Sequence, residues 1–160
     1  MPEYHMGFSQ KLIDAGNFIL KEDPHSADAC QAVLYLSLLS CEITLKALLE
    51  KAGMQVDIIR KRSHKLHELL LDLGRCKVLE EIGNTRRWVR AVRIRGQVVD
   101  KRFANATIGN LLEAESKGAS TYPNQIRYGP KRRHYPPRLM LKTAASTMQW
   151  AREHWDTIKI

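Results

Sequence analysis

The sequence contains none of the short motifs that mark the familiar classes of enzyme. There is no Gly-rich phosphate-binding loop, no dinucleotide-binding fingerprint and no nucleophile elbow. These motifs hold phosphate groups or activate nucleophiles, so their absence excludes most familiar enzyme classes. We accordingly expect no bound cofactor.

Cysteine is also scarce, and no long uncharged hydrophobic run is present. The three cysteines, Cys30, Cys41 and Cys76, give no paired framework, which favours reduced thiols in a cytoplasmic protein. The most apolar run, residues 32–49, is interrupted by five polar or charged side chains, so it predicts a buried core helix and not a membrane span. The first ten residues have no basic region followed by an apolar stretch, and we expect no signal peptide.

Positive charge is abundant and unevenly distributed. Residues 1–59 contain 4 Lys or Arg against 8 Asp or Glu, whereas residues 60–102 contain 13 against 5 and residues 103–160 contain 9 against 4. A basic region of this kind attracts polyanions such as RNA, DNA or nucleotides. A solvated basic face, or a patch that meets an acidic protein partner, would give the same composition.

Hydrophobic periodicity predicts helices throughout a single domain, residues 1–160. In the first helix, apolar residues recur at helical spacing from Phe8 to Leu20, with Ser9 as a candidate N-cap. A long second helix, Asp28 to Ala52, is capped at Ser26 or Asp28 and is apolar almost all round, which is typical of the centre of a bundle.

Shorter helices are predicted after this central one. One follows a cap at Ser63, the next runs over residues 77–93, another lies within residues 106–116, and the last starts at Pro137. Around residues 92–99 the alternation of apolar and basic side chains equally suits a short strand. The pattern as a whole predicts an all-α, up-and-down bundle of about five or six helices.

Three segments of the chain resemble the HEPN family of small helical bundles. The central helix, "AVLYLSLLSCEITLKALLEKAG", carries Glu42 and Lys46 in the family's E-x-x-x-K-A-L-L style. "SHKLHELLLDLG" is similar to the family's H-x-L-x-x-L segment, with His64 or His67 in the place of the histidine. "IRYG", residues 126–129, is similar to L-R-Y-P ahead of the last helix.

The resemblance implies a HEPN-like fold that commonly forms homodimers through its long helices. Many members are metal-independent ribonucleases of toxin–antitoxin or phage-defence systems, and they use an arginine, a polar residue and a nearby histidine. Other members lack activity and bind nucleotides or partner proteins, such as a nucleotidyltransferase.

Arg127 and His134 are the candidate catalytic residues under this resemblance. Cleavage of RNA needs a group that moves the proton of the 2′-hydroxyl, as histidine can, and a fixed cation for the charge on the phosphate, as guanidinium can. Two features count against catalysis. Tyr128 stands where the catalytic version prefers Asn, Asp or His, and Gly129 and Pro130 interrupt the segment between the pair.

Two basic clusters are candidate nucleic-acid-binding sites. The first consists of Lys131, Arg132 and Arg133, and the second of Arg86, Arg87, Arg90 and Arg93 with Trp88 interleaved. On a helix, Arg86, Arg90 and Arg93 share one face and can follow a phosphate backbone. A solvated face, or a patch between subunits, is the alternative.

No metal site is expected. His64 and His67, with Cys76 nearby, have the residue types of zinc ligands, but a structural zinc site needs four ligands and no second ligand pair follows.

Three functions are open at this point. The first is a module that binds RNA, nucleotide phosphates, or a nucleotidyltransferase or antitoxin partner. The second is a metal-independent endoribonuclease that uses Arg127 and His134, and the third is a docking subunit that binds no nucleic acid. In each case we expect a cytoplasmic homodimer that does not contact a membrane.

Overall fold

A computed structural model of the chain describes residues 1–114, 122–123 and 135–160. The described elements, in chain order, are α1 (Met6–Glu22), α2 (Ala27–Lys51), α3 (Val56–Lys61), α4 (Leu66–Arg75), β1 (Lys77–Ile82), β2 (Thr85–Arg90), a 3₁₀ helix (Ala91–Gly96), α5 (Ile108–Ala114) and α6 (Pro137–His154). The chain is mostly helical, as predicted, but the β1–β2 hairpin means that it is not all-α.

The hairpin stands where the sequence predicted a helix over residues 77–93. β1 and β2 are antiparallel and pair Val78 with Val89, and both valines pack against the core. A two-residue turn, Gly83 and Asn84, joins the strands, and Gly83 takes a φ of 63° that tight hairpin turns require. The helical prediction was wrong because this turn reverses the chain between the two strands, and the helical stripe was only approximate.

The central helix agrees with its prediction. The Ser26 side chain caps α2 by accepting a hydrogen bond from the Ala29 N–H at 3.3 Å, and Gly53 ends it with a φ of 104°. α2 packs against α1, α4 and α6. By length and composition α2 could cross a membrane, but 78% of its most apolar stretch is buried inside the protein. Its hydrophobicity is therefore accounted for by the core.

Ser9 is not an N-cap, in contrast to the prediction. α1 begins earlier, at Met6, and Ser9 lies fully buried in its interior. There the hydroxyl hydrogen-bonds the Ser40 and Thr44 hydroxyls of α2, at 2.7 and 2.6 Å. These contacts join α1 to α2 through polar groups, and each of these three buried hydroxyls finds a partner.

The start of α4 also differs from the prediction, whereas that of α6 agrees with it. Lys65, not Ser63, occupies the N-cap position of α4, and Ser63 has a φ of 51°. Pro137 opens α6, where its missing N–H costs nothing. Beyond α6, the backbone of Lys159 exchanges hydrogen bonds of 2.7 and 3.0 Å with that of Lys77, so the C-terminal segment extends the edge of the hairpin.

Candidate nucleic-acid interface

Five of the predicted site residues lie outside the part of the chain that the structure describes. They are Arg127, Lys131, Arg132, Arg133 and His134. Their catalytic or phosphate-binding roles stay predictions from the sequence.

The four other predicted arginines lie on and just after β2. Arg86, Arg87 and Arg90 belong to the strand, and Arg93 to the 3₁₀ helix that follows. Side chains alternate between the two faces of a strand, so Arg86 and Arg90 share one face with Trp88, and Arg87 lies on the other. The single helical face predicted for Arg86, Arg90 and Arg93 does not exist, but Trp88 does lie between two arginines.

The neighbouring strands add two lysines to that face. Lys77 on β1 is directly opposite Arg90, and Lys159 is paired with Lys77 in turn. The Lys159 ammonium lies 3.6 Å from the centroid of the Trp88 ring. Residues opposite each other in an antiparallel pair point to the same side of the sheet, so all of these side chains lie together.

We call this surface the outer hairpin face. It consists of Lys77, Arg86, Trp88, Arg90 and Lys159, and all five are exposed. Trp88 is 48% exposed, which is a large fraction for an indole ring. Among the described residues of the two strands, Glu81, opposite Arg86, is the one acidic side chain on this face. The face therefore combines an exposed aromatic ring with an excess of positive charge.

Arg93 has a different environment from the outer hairpin face. Its guanidinium donates to Glu80 Oε2 at 2.8 Å, and the other Glu80 oxygen lies 3.3 Å from His154 Nε2. Glu80 and Arg87 are opposite each other on the inner face of the hairpin. Arg93 thus ties the 3₁₀ helix to β1, and its charge is already paired.

A second polar cluster surrounds Glu42 in the core. Glu42 is 3% exposed, and its Oε1 accepts from Lys46 Nζ at 2.6 Å, which confirms the pair predicted from their one-turn spacing. Its Oε2 lies 2.9 Å from His64 Nδ1 and accepts from the Tyr122 hydroxyl at 2.5 Å. Burial, with the Glu42 charge beside it, raises the pKa of Tyr122 well above its usual range.

Neither His64 nor Tyr122 was predicted to contact Glu42. They are 22 and 80 residues away along the chain, so no local periodicity links them. Lys77 would have been assigned to the outer hairpin face if the Gly-Asn turn had been recognised, since the turn fixes the strand register. Lys159 gives no such signal in the sequence.

His64, His67 and Cys76, which have the residue types of zinc ligands, do not form a metal-binding group in the structure. Within residues 1–114, 122–123 and 135–160 there is no group of three or more His, Cys, Asp or Glu side chains that could hold a metal ion. Cys76 is buried, which raises the pKa of its thiol to about 11.

No protein-family model, curated protein or solved structure matches the chain. The resemblance to the HEPN family therefore stays a prediction.

Proposed function

We propose that the protein binds single-stranded RNA, or the phosphates of nucleotides, on the outer hairpin face. The observation that carries this proposal is Trp88, an exposed ring between Arg86 and Arg90 with Lys77 and Lys159 beside it. Proteins that bind single strands combine such features: bases stack on aromatic rings, and cations contact the backbone.

The dimensions of the face suit a short stretch of a single strand. Arg86 and Arg90 are four residues apart on β2, or about 13 Å at the usual rise of a strand. A base stacked on Trp88 then has a cation on either side of it. Phosphate contacts of this kind carry no sequence information, so we expect binding with little base preference.

Lys159 has a specific part in this proposal. It covers Trp88 in a cation–π contact, which is worth about 0.5–1 kcal/mol at an exposed site. A stacking base displaces the ammonium at that modest cost, and the released Lys159 is then free to contact the phosphate of the same nucleotide.

The fold family and the assembly are a separate proposal. We propose a HEPN-like bundle that forms a cytoplasmic homodimer and docks a nucleotidyltransferase or antitoxin partner. The sequence motifs support the bundle, and the partly exposed Leu36, Leu39 and Ile43 of α2 offer apolar surface for a second copy. Light scattering after size exclusion tests the dimer, because elution as a monomer at all concentrations would contradict it.

The affinity for a fluorescent single-stranded RNA, measured by anisotropy at low salt, tests the binding proposal. Trp88→Ala should weaken binding about tenfold, since stacking is worth about 1–3 kcal/mol per base. Arg86→Ala with Arg90→Ala should make the negative slope of log affinity against log salt less steep by about 1.4, at about 0.7 per lost phosphate contact on a single strand.

Matched variants on α1 control for the loss of an aromatic ring and of surface charge. Phe18 is 64% exposed and Lys11 is exposed, and both are remote in sequence from the hairpin. Phe18→Ala and Lys11→Ala should leave the affinity within about twofold of the wild type. Equal losses of RNA affinity in the hairpin and α1 variants would overturn the proposal. So would the absence of RNA binding by the wild type at low salt.

A further inference from the structure

A cavity lies between the second half of α1 and the start of α6. Its volume is about 480 Å³, within the range of about 300–1,000 Å³ that is typical of small-molecule sites. Each helix contributes three lining residues with the same spacing, which places them on one face of that helix. These residues are Asn17, Leu20 and Lys21 on α1, and Arg138, Leu141 and Lys142 on α6. We call this site the α1–α6 cavity.

The floor of the α1–α6 cavity is apolar. Leu20 and Leu141 are each 6% exposed, and Pro24 and Ala145 complete the apolar lining. A Cβ added at Gly16 would lie 2.9 Å from Leu141 Cδ1, so Leu141 packs directly on the backbone of α1. Among the described lining residues there is no aromatic ring on which a base would stack. The floor therefore suits an aliphatic group.

The polar part of the lining carries three cations. Lys21, Arg138 and Lys142 are exposed, and within the described part of the chain no acidic side chain lines the cavity. Neither Lys21 nor Arg138 forms a salt bridge with another described residue. Cations of one sign beside an apolar surface concentrate the electric field, because that surface excludes water. The cavity therefore attracts an anion.

The third cation, Lys142, is held at the cavity by a buried carboxylate. Its Nζ lies 3.3 Å from Asp100 Oδ2, and Asp100 is 7% exposed. Arg102 donates to both oxygens of the same carboxylate, at 3.1 and 2.8 Å. Since this group consists of one anion and two cations, it keeps an excess of positive charge. The contact with Asp100 therefore orients Lys142 without making the cavity neutral.

We propose that the α1–α6 cavity binds a small aliphatic carboxylate. Arg138 contacts the carboxylate, because a guanidinium presents two parallel donors to the two oxygens, and Lys21 and Lys142 add positive charge around it. The alkyl chain lies on Leu20 and Leu141 and displaces water from the apolar floor. This site shares no residue with the outer hairpin face, and the proposal does not rest on the binding of RNA.

Both parts of the lining decide the class of ligand. An inorganic anion would pair with the cations but leave the apolar floor in contact with water. An uncharged hydrocarbon would cover the floor but leave Lys21 and Arg138 without a partner. A carboxylate with an alkyl chain satisfies both parts, and the volume of about 480 Å³ accommodates a chain such as that of octanoate.

Isothermal titration calorimetry with octanoate at neutral pH tests the proposal. We expect a dissociation constant of about 1 mM or below, as for a small ligand that combines a charged contact with an apolar one. Two other probes separate the parts of the ligand. Acetate has the same head group without the chain, and octyltrimethylammonium has the chain with the opposite charge. Each should bind at least about tenfold more weakly than octanoate.

Two variants locate the binding of octanoate in the cavity. Arg138→Gln removes the charged contact and should weaken binding about tenfold, as expected for the loss of a hydrogen bond between charged groups. Ala145→Phe keeps every cation but places a ring in the cavity, so it should abolish binding. The matched controls are Lys11→Gln and Ala15→Phe, at exposed positions of α1 that do not line the cavity. Both controls should leave the affinity unchanged.

Several results would overturn the proposal. One is the absence of octanoate binding by the wild type. Equal binding of acetate would show a site for any anion, and equal binding of octyltrimethylammonium would show apolar adsorption without recognition of charge. An unchanged affinity in Arg138→Gln and Ala145→Phe would place octanoate elsewhere on the protein. Melting temperatures show whether the variants are folded, and Arg138→Gln, at an exposed position, decides the question if Ala145→Phe is not.

Discussion

Glu42 contacts three side chains from one buried position, and two of them are distant in the sequence. It binds Lys46 on its own helix, His64 on the turn before α4, and Tyr122, which follows α5 in the chain. A buried charge is costly unless it is fully paired, so each of these contacts offsets the desolvation of the carboxylate. The contacts also fix where the His64 ring is held.

Removal of this carboxylate should be strongly destabilising. In Glu42→Ala the ammonium of Lys46, a residue that is 7% exposed, loses its partner, and we expect the free energy of unfolding to fall by about 3–5 kcal/mol. Glu42→Leu combined with Lys46→Leu leaves no unpaired charge and should recover much of that loss. Urea denaturation followed by circular dichroism measures both. A loss of less than about 1 kcal/mol in Glu42→Ala, as expected for the exposed control Glu153→Ala, would contradict the pairing described.

The cysteines should differ sharply in their reactivity. Burial raises the pKa of Cys41 to about 12 and that of Cys76 to about 11. A raised thiol pKa means that less of the reactive thiolate is present at pH 8, so both should be alkylated slowly in the native state. Cys30 is only partly buried and should react first with iodoacetamide. Peptide mass spectrometry measures the order in which the three cysteines are alkylated. Equal labelling of all three in the native protein would show that Cys41 and Cys76 are not buried.

At the scale of elements, caps and turns decide where the chain begins and ends its helices. Ser26 and Gly53 were recognised in the sequence and do bound α2. The turn at Gly83 was not recognised, because Leu79, Ile82 and Val89 also fall near one face of a helix. A short apolar pattern of this kind fits two conformations, and the glycine then decides between them.

Two glycines allow this role of Gly83 to be tested cleanly. A Cβ added at Gly83 or at Gly96 would meet no atom within 4 Å, but only Gly83 has a positive φ, of 63°. Gly83→Ala should therefore cost about 1 kcal/mol through backbone strain alone, whereas Gly96→Ala should be neutral or slightly stabilising. Urea midpoints compare the two variants. If Gly83→Ala is as harmless as Gly96→Ala, the hairpin turn is not as described.

At the scale of the whole molecule, the sequence predicted the helices and the positive charge but not which distant residues are in contact. Long-range pairing brings Lys159 to Lys77, and Glu42 to His64 and Tyr122. Such contacts depend on the packing of whole elements, which local periodicity does not encode. The sequence shows that arginines cluster around Trp88. Which of these arginines share a face with the ring follows only from the geometry of the strand.

Under the proposed function, the basic remainder of the chain acts through one defined surface. Residues 1–59, which carry a net negative charge, include all of α1 and α2. The outer hairpin face takes its charge from Lys77, Arg86, Arg90 and Lys159. We therefore expect a polyanion to be attracted to the outer hairpin face.

Ultraviolet cross-linking of a uniformly labelled single-stranded RNA to the wild-type protein tests binding at the outer hairpin face most directly. After digestion, mass spectrometry identifies the peptides that carry nucleotides. We expect cross-links within residues 77–90, with Trp88 among the modified side chains, and their loss as salt is raised. Cross-links confined to α1 and α2, with none on the hairpin, would contradict the proposal.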